Sequence, residues 1–186
     1  FDEGNKKLDA AAAIFTGLRA DGDHGEAVPY GLALAKFTRY AALGLGGGPG
    51  SKPGDLDAAA DLLRPLVQSG KASRAVQLTY ADILNYLSHS QADKQPAIAL
   101  CDESRKILEG RGAKDLTDLT AASIYADTAD SESRHALALG RLDDAAQLSG
   151  EVYDIAEQVL LQRPGDLRSM ANRALAASFL ASLAAR

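Results

Sequence analysis

The 186-residue chain has no Trp, one Met, one Cys and only 5% aromatic residues. With a single Cys at position 101, no disulfide can form within the chain, and a reducing compartment is the expectation. No stretch of about 18 apolar residues occurs, so no segment is predicted to cross a bilayer. No segment alternates apolar and polar residues long enough to suggest a strand, and β-branched residues never cluster. Positive charge is also in short supply, with 20 Lys and Arg against 25 Asp and Glu. A mildly acidic chain of this kind is not expected to favour nucleic acid or an anionic membrane.

What the sequence does contain is Ala and Leu at helical spacing, in a chain long enough to bury one core. Helix-ending signals divide it into eight predicted helices: about residues 4–20, 26–43, 55–69, 71–89, 94–109, 115–139, 142–162 and 167 onward. Gly70, Gly110 and Gly140 end three of them, and Asp166 is the expected N-cap of the last. The Gly-rich tract from Gly44 to Gly50 separates the second and third. Together with Ser51 and Lys52 it lacks the Gly-Lys-Ser/Thr order of a phosphate loop, and it reads as a connector.

Three predicted helices begin alike: Leu8-Asp9-Ala10-Ala11, Leu56-Asp57-Ala58-Ala59 and Leu142-Asp143-Asp144-Ala145. A recurrence on the scale of about 40 residues, with a helix pair per unit, implies stacked pairs, because one pair cannot bury its own apolar face. The fold class is therefore read as all-α.

The unit resembles the tetratricopeptide repeat. Gly54 with Ala59 and Gly140 with Ala145 match that family's Gly-to-Ala spacing, and Ala11 with Phe15 matches its helix B step from Ala to an aromatic. Tyr80, Ile83, Leu84 and Leu87 resemble its helix A pattern, echoed by Tyr30, Ala33, Leu34 and Phe37. Ala97, Cys101 and Ser104 are similar to its helix B face, and Pro164 to its terminal proline. The chain departs from the family in lacking Trp, in a period longer than 34 residues, and in the poor match of Ala129, Glu132, Ser133 and Ala136.

The resemblance implies a right-handed α-solenoid of about four antiparallel helix pairs, a single helical-repeat domain over residues 1–186. The alternative is a closed helical bundle. The first residue is Phe1 rather than Met, so the domain is expected to be a piece of a longer, multidomain protein, of bacterial signalling or assembly type. Such arrays often follow kinase, cyclase or DNA-binding domains.

In this family the A helices line a concave groove that holds peptides. The matching register places Asp82, Asn85 and His89 on that face of the fourth helix. It adds Asp127, Asp130, Ser131 and Arg134 from the sixth helix, and Arg168 and Asn172 from the eighth. Carboxylates dominate and Lys is absent, so the expected partner is a neutral or basic protein segment. Cytoplasmic location is the expectation, with no catalytic residues, no cofactor and no metal.

Glu132-Ser133-Arg134-His135 forms a single E-x-x-H motif, and a di-iron bundle needs two. Neither His24 nor His89 supplies the second, so Glu132 reads as part of a charged helix surface. The competing classes are a small-ligand or metal-binding closed bundle and a helical enzyme domain using Asp127, Asp130 and His135. Self-association through Ala171, Ala174, Ala177 and Ala181 is a further alternative.

Overall fold

The computed structural model describes residues 2–20, 25–42 and 54–184. Among these it is all-helical: α1 (Asp2–Ala20), α2 (Ala27–Ala42), α3 (Asp55–Gln68), α4 (Arg74–Ser90), α5 (Lys94–Glu109), α6 (Leu119–Ala138), α7 (Leu142–Gln162) and α8 (Leu167–Ala184). His24 and the Gly44–Lys52 tract lie outside the described residues. Helix ends follow local chemistry. Gly70 and Gly140 adopt left-handed φ of 71° and 75°, a conformation that costs Gly little and any other residue more. The side chain of Asp93 accepts from Gln95 N at 3.0 Å to cap α5, and Asp166 accepts from Ser169 N at 2.9 Å to cap α8.

The expected start of the sixth helix, near 115, is corrected to Leu119. Asp118 caps α6 by accepting from Thr120 N and Ala121 N, and residues 110–118 turn around Gly112 instead of continuing a helix.

The chain divides into two compact units, residues 1–83 and 84–186. In the first, α2 packs against both α1 and α3. Its core includes Val28, Leu32, Leu56, Leu63, Val76 and Ile83. Full burial of such side chains contributes on the order of 1.5–3 kcal/mol each. Arg39 is buried and donates to Asp9 of α1 and, at 3.5 Å, to Asp55 of α3, while Lys36 reaches Asp55 at 3.3 Å. Two carboxylates thus accompany the buried guanidinium, as its desolvation requires. Glu26 accepts from Ser73 N at 2.9 Å beside the start of α4, and these Ser73 hydrogen bonds hold its carboxyl below the ordinary range.

In the second unit α6 packs against α5, α7 and α8, and meets the end of α4 through side-chain hydrogen bonds. The core is built from Ala97, Cys101, Leu108, Ala121, Ala122, Ala129, Ala136, Ala145, Val152, Ala156 and Val159 around Tyr125. Alanine at so many contacts lets helix axes approach closely while retaining strong helix propensity. Ala129, Glu132, Ser133 and Ala136, the weakest match to the repeat pattern, are all buried.

Candidate functional site

Helix α6 carries polar side chains around much of its circumference, yet most of them are buried. Residues three, four and seven apart share a helix face, so each neighbouring helix meets its own polar row. A buried polar group without a partner is costly, and each row finds hydrogen-bond partners on the facing helix, with Asn85 Oδ1 on α4 the exception among the described α4–α6 groups.

Toward α4, Asn85 Nδ2 donates to Asp127 Oδ2 at 3.0 Å. One turn further along, Ser131 Oγ lies 3.0 Å from His89 Nε2, and His135 Nε2 lies 3.3 Å from Ser88 Oγ. Both serine hydroxyls donate to helix carbonyls, Ser131 to Asp127 O at 3.1 Å and Ser88 to Asn85 O at 2.7 Å. Each therefore receives a hydrogen bond from an imidazole, which assigns the proton of both neutral rings to Nε2. Burial depresses the pKa of both rings, that of His135 to about 4.

Toward α8, Asn172 meets Asp127 from the other side. With its amide oriented to satisfy both groups, it donates to Asp127 Oδ1 at 3.3 Å and accepts from Asp127 N at 3.1 Å. Ser123 Oγ donates to Asp166 Oδ1 at 3.0 Å, and Ser169 Oγ donates to Ser123 Oγ at 3.3 Å.

Toward α5 and α7, Arg105 donates from Nη1 to Glu132 Oε2 at 2.6 Å and from Nε to the Tyr125 hydroxyl at 3.1 Å. The Tyr125 hydroxyl donates to Glu151 Oε1 at 2.8 Å, and Lys114 bridges Glu109 and Glu151 at 3.0 and 3.3 Å. Burial raises the pKa of Glu132 against the opposing pull of Arg105. Glu132 is thus not part of a charged surface, the sequence expectation, because it turns inward to neutralise a guanidinium that is itself largely covered.

These contacts locate each residue expected to line a groove. Asn85, Asp127 and Asn172 come together, and Asn85 and Asn172 are 1% and 2% exposed; Asn85 Nδ2 and the Asn172 amide bond Asp127, while Asn85 Oδ1 is buried with no hydrogen-bond partner among the described residues. Asp82 lies earlier on α4, in the first unit, and is also buried. His89 is exposed at its rim while bonded to Ser131. Arg168 is half-buried at the start of α8. Ala171, Ala174, Ala177 and Ala181 are exposed.

Asp130 and Arg134 occupy a different setting. Arg134 Nη2 pairs with Asp130 Oδ2 at 2.6 Å, one turn apart on α6, at the edge of a cleft of about 330 Å³. Ser133 and Leu137 of α6, Ser149 of α7, and Leu175 and Phe179 of α8 form much of its lining. That volume is at the low end of the roughly 300–1,000 Å³ typical of ligand-holding clefts. Ser133 Oγ and Ser149 Oγ lie 2.8 Å apart, and Ser133 also donates to Ala145 O at 2.9 Å. Sequence reading missed Leu137, Leu175 and Phe179; Leu137 and Leu175 line the cleft while 37% and 46% exposed.

Asp127 and His135 engage different partners, Asn85 and Asn172 for one and Ser88 for the other. Cys101 is fully buried, and burial pushes its thiol up to about 12, which removes nucleophilic character at neutral pH. Among the described residues, no group of three or more His, Cys, Asp or Glu is placed to hold a metal ion, and no helix is long and apolar enough to cross a membrane. No family model, curated protein or solved structure matches the chain.

Proposed function

We propose that the chain is a non-catalytic interaction module, a tetratricopeptide-like helical array that holds a neutral or basic segment of a partner protein. The observation that carries the reading is the cleft of α6, α7 and α8, where exposed leucines and a half-buried phenylalanine adjoin an ion pair. Apolar walls with a few charged groups at the edge suit capture of a side chain from an extended or helical segment.

The packing within the second unit supports the repeat reading. Helix α6 engages α4 and α8 through one set of contacts and α5 and α7 through another, as an A helix does when pairs stack. The buried polar rows give α6 a fixed register, so the cleft has rigid walls. On this reading the module serves as a scaffold or regulatory part of a larger signalling assembly.

Titration of the chain with fluorescent peptide libraries of acidic, neutral and basic composition tests the proposal. Binding of neutral or basic peptides, with amide shifts confined to α6, α7 and α8, is the expected result. Preference for acidic peptides, or shifts elsewhere in the chain, overturns it.

A further inference from the structure

Helix α1 is anchored on one side only. Among the described residues it packs against α2 and no other helix. Its half-buried residues Asn5, Leu8, Ala11, Ala12 and Phe15 recur at helical spacing and form the stripe that meets α2. No described residue of α1 is fully buried, whereas α3, packed on the same α2, buries Asp55, Leu56, Ala59, Ala60 and Leu63. Past Phe15 every residue of α1 is exposed, and Ile14 and Leu18 are 64% and 40% exposed.

The contact has one catch and one flaw. The Phe15 ring rests on Gly31 of α2, where a Cβ would collide with it, so the missing side chain makes the seat. Asp9 pairs with Arg39 from a side chain that is itself mostly in water, and Arg39 keeps Asp55 of α3 when Asp9 leaves. The flaw is Asn5 Oδ1, which is buried with no hydrogen-bond partner among the described residues. Release of α1 returns that oxygen to water and removes its desolvation cost. Few buried apolar contacts and a stranded polar atom together mark a segment that opens at low cost. Once free, α1 has no surface to hold it and carries Gly4 and Gly17 within its length, so its backbone hydrogen bonds open with it.

We propose that α1 is a releasable strap, lifting off α2 as Phe15 leaves the Gly31 seat while α2 and α3 stay packed. The first unit then has two folded forms, one with the Phe15-covered face of α2 closed and one with that face open to solvent. Phe15 fastens the strap, and Asn5 favours its release.

Hydrogen exchange of the whole chain at neutral pH, read by mass spectrometry, tests this. Amides of residues 5–16 should exchange at least about tenfold faster than the slowest amides of α3, the reference helix in the same unit. Phe15→Ala should speed exchange in α1 while leaving α3 within about twofold of its original rate. Asn5→Leu, which removes the stranded oxygen, should slow α1 by about fivefold or more. Protection of α1 within tenfold of that of α3 overturns the strap, and so does equal loss of protection in α1 and α3 when Phe15 is replaced. Unchanged amides of α5, α6 and α7 in the same spectra identify each variant as folded, and the comparison of α1 with α3 in the unaltered chain needs no variant at all.

Discussion

The imidazole rings of His89 and His135 lie 6.0 Å apart at the α4–α6 contact, each turned to a serine of the opposite helix. His135 is 6% exposed, and burial chiefly, then His89, Lys94 and Arg134, depress its pKa from 6.5 to about 4. Asp130 pulls the other way on His89. Above about pH 7.5 both folded and unfolded chains hold neutral imidazoles, and the pair makes no pH-dependent difference. As pH falls from 6.5 toward 4 the unfolded chain takes up protons that the folded chain resists, so stability drops, by about 3 kcal/mol at most for His135. Below the folded pKa the loss levels off. Urea midpoints measured from pH 8 to 4 should fall through this window, and His135→Gln should flatten the curve, leaving the smaller contribution of His89.

Asp127 is the shared partner of two buried amides. Asp127→Ala removes the acceptor from Asn85 and Asn172 while leaving both in place. Stranded buried amides cost on the order of 1–3 kcal/mol each, so a loss of about 2–4 kcal/mol is expected by denaturant unfolding. Combining Asp127→Ala with Asn85→Ala and Asn172→Ala should cost less than the sum of the three single changes, because the triple variant leaves nothing stranded.

Breaking the Arg105–Glu132 pair from one side leaves a covered charge alone. Arg105→Ala is expected to destabilise by about 3 kcal/mol, with most of the loss recovered when Glu132→Leu is added, since the buried charge then disappears. Thermal unfolding of the two single variants and the double variant measures this. Equal losses in the double and single variants would sink the account.

Gly112 and Gly140 both adopt left-handed φ, 81° and 75°, but their surroundings differ. A Cβ at Gly140 meets nothing within 4 Å, whereas at Gly112 it would lie 1.8 Å from Thr117 Oγ1. Gly140→Ala should therefore cost about 1 kcal/mol from backbone strain alone. Gly112→Ala should cost clearly more, and Thr117→Ala should recover part of the excess but not the strain, since Asp115 Oδ1 at 3.0 Å and the Cβ of residue 117 at 3.2 Å stay close. Chemical denaturation of the three variants separates the two contributions.

Helix boundaries were legible where punctuation is local. Gly70, Gly140, Asp93 and Asp166 act within a few residues of themselves, so their meaning is present in the immediate sequence. Asp118 acts in the same way, but no Gly or Pro interrupts residues 113–118, so nothing local separates the turn from the helix that follows. Tyr80, Leu84 and Cys101, among the residues that carry the resemblance to the repeat pattern on α4 and α5, are buried. The fate of the polar rows was not legible. Spacing places Asp127, Ser131 and Arg134 on polar faces of one helix, but the same spacing serves a face in water and a face against matching polar groups. Asn85 and Asn172 lie 42 residues before and 45 after Asp127, and no local pattern records such a pairing. The cleft escaped for the same reason: Leu137, Leu175 and Phe179 converge only once α6 and α8 are side by side.

The Tyr125 phenol, held between Arg105, Lys114, Glu109 and Glu151, has one last consequence. In a chain without Trp, tyrosine dominates the near-ultraviolet spectrum, and this ring sits where α5, α6 and α7 meet. Burial raises its pKa above that of a free phenol. In alkali, phenolate absorbance from Tyr125 should thus appear later than that of a free phenol and rise when those three helices part, giving the protein an intrinsic optical gauge of its own opening.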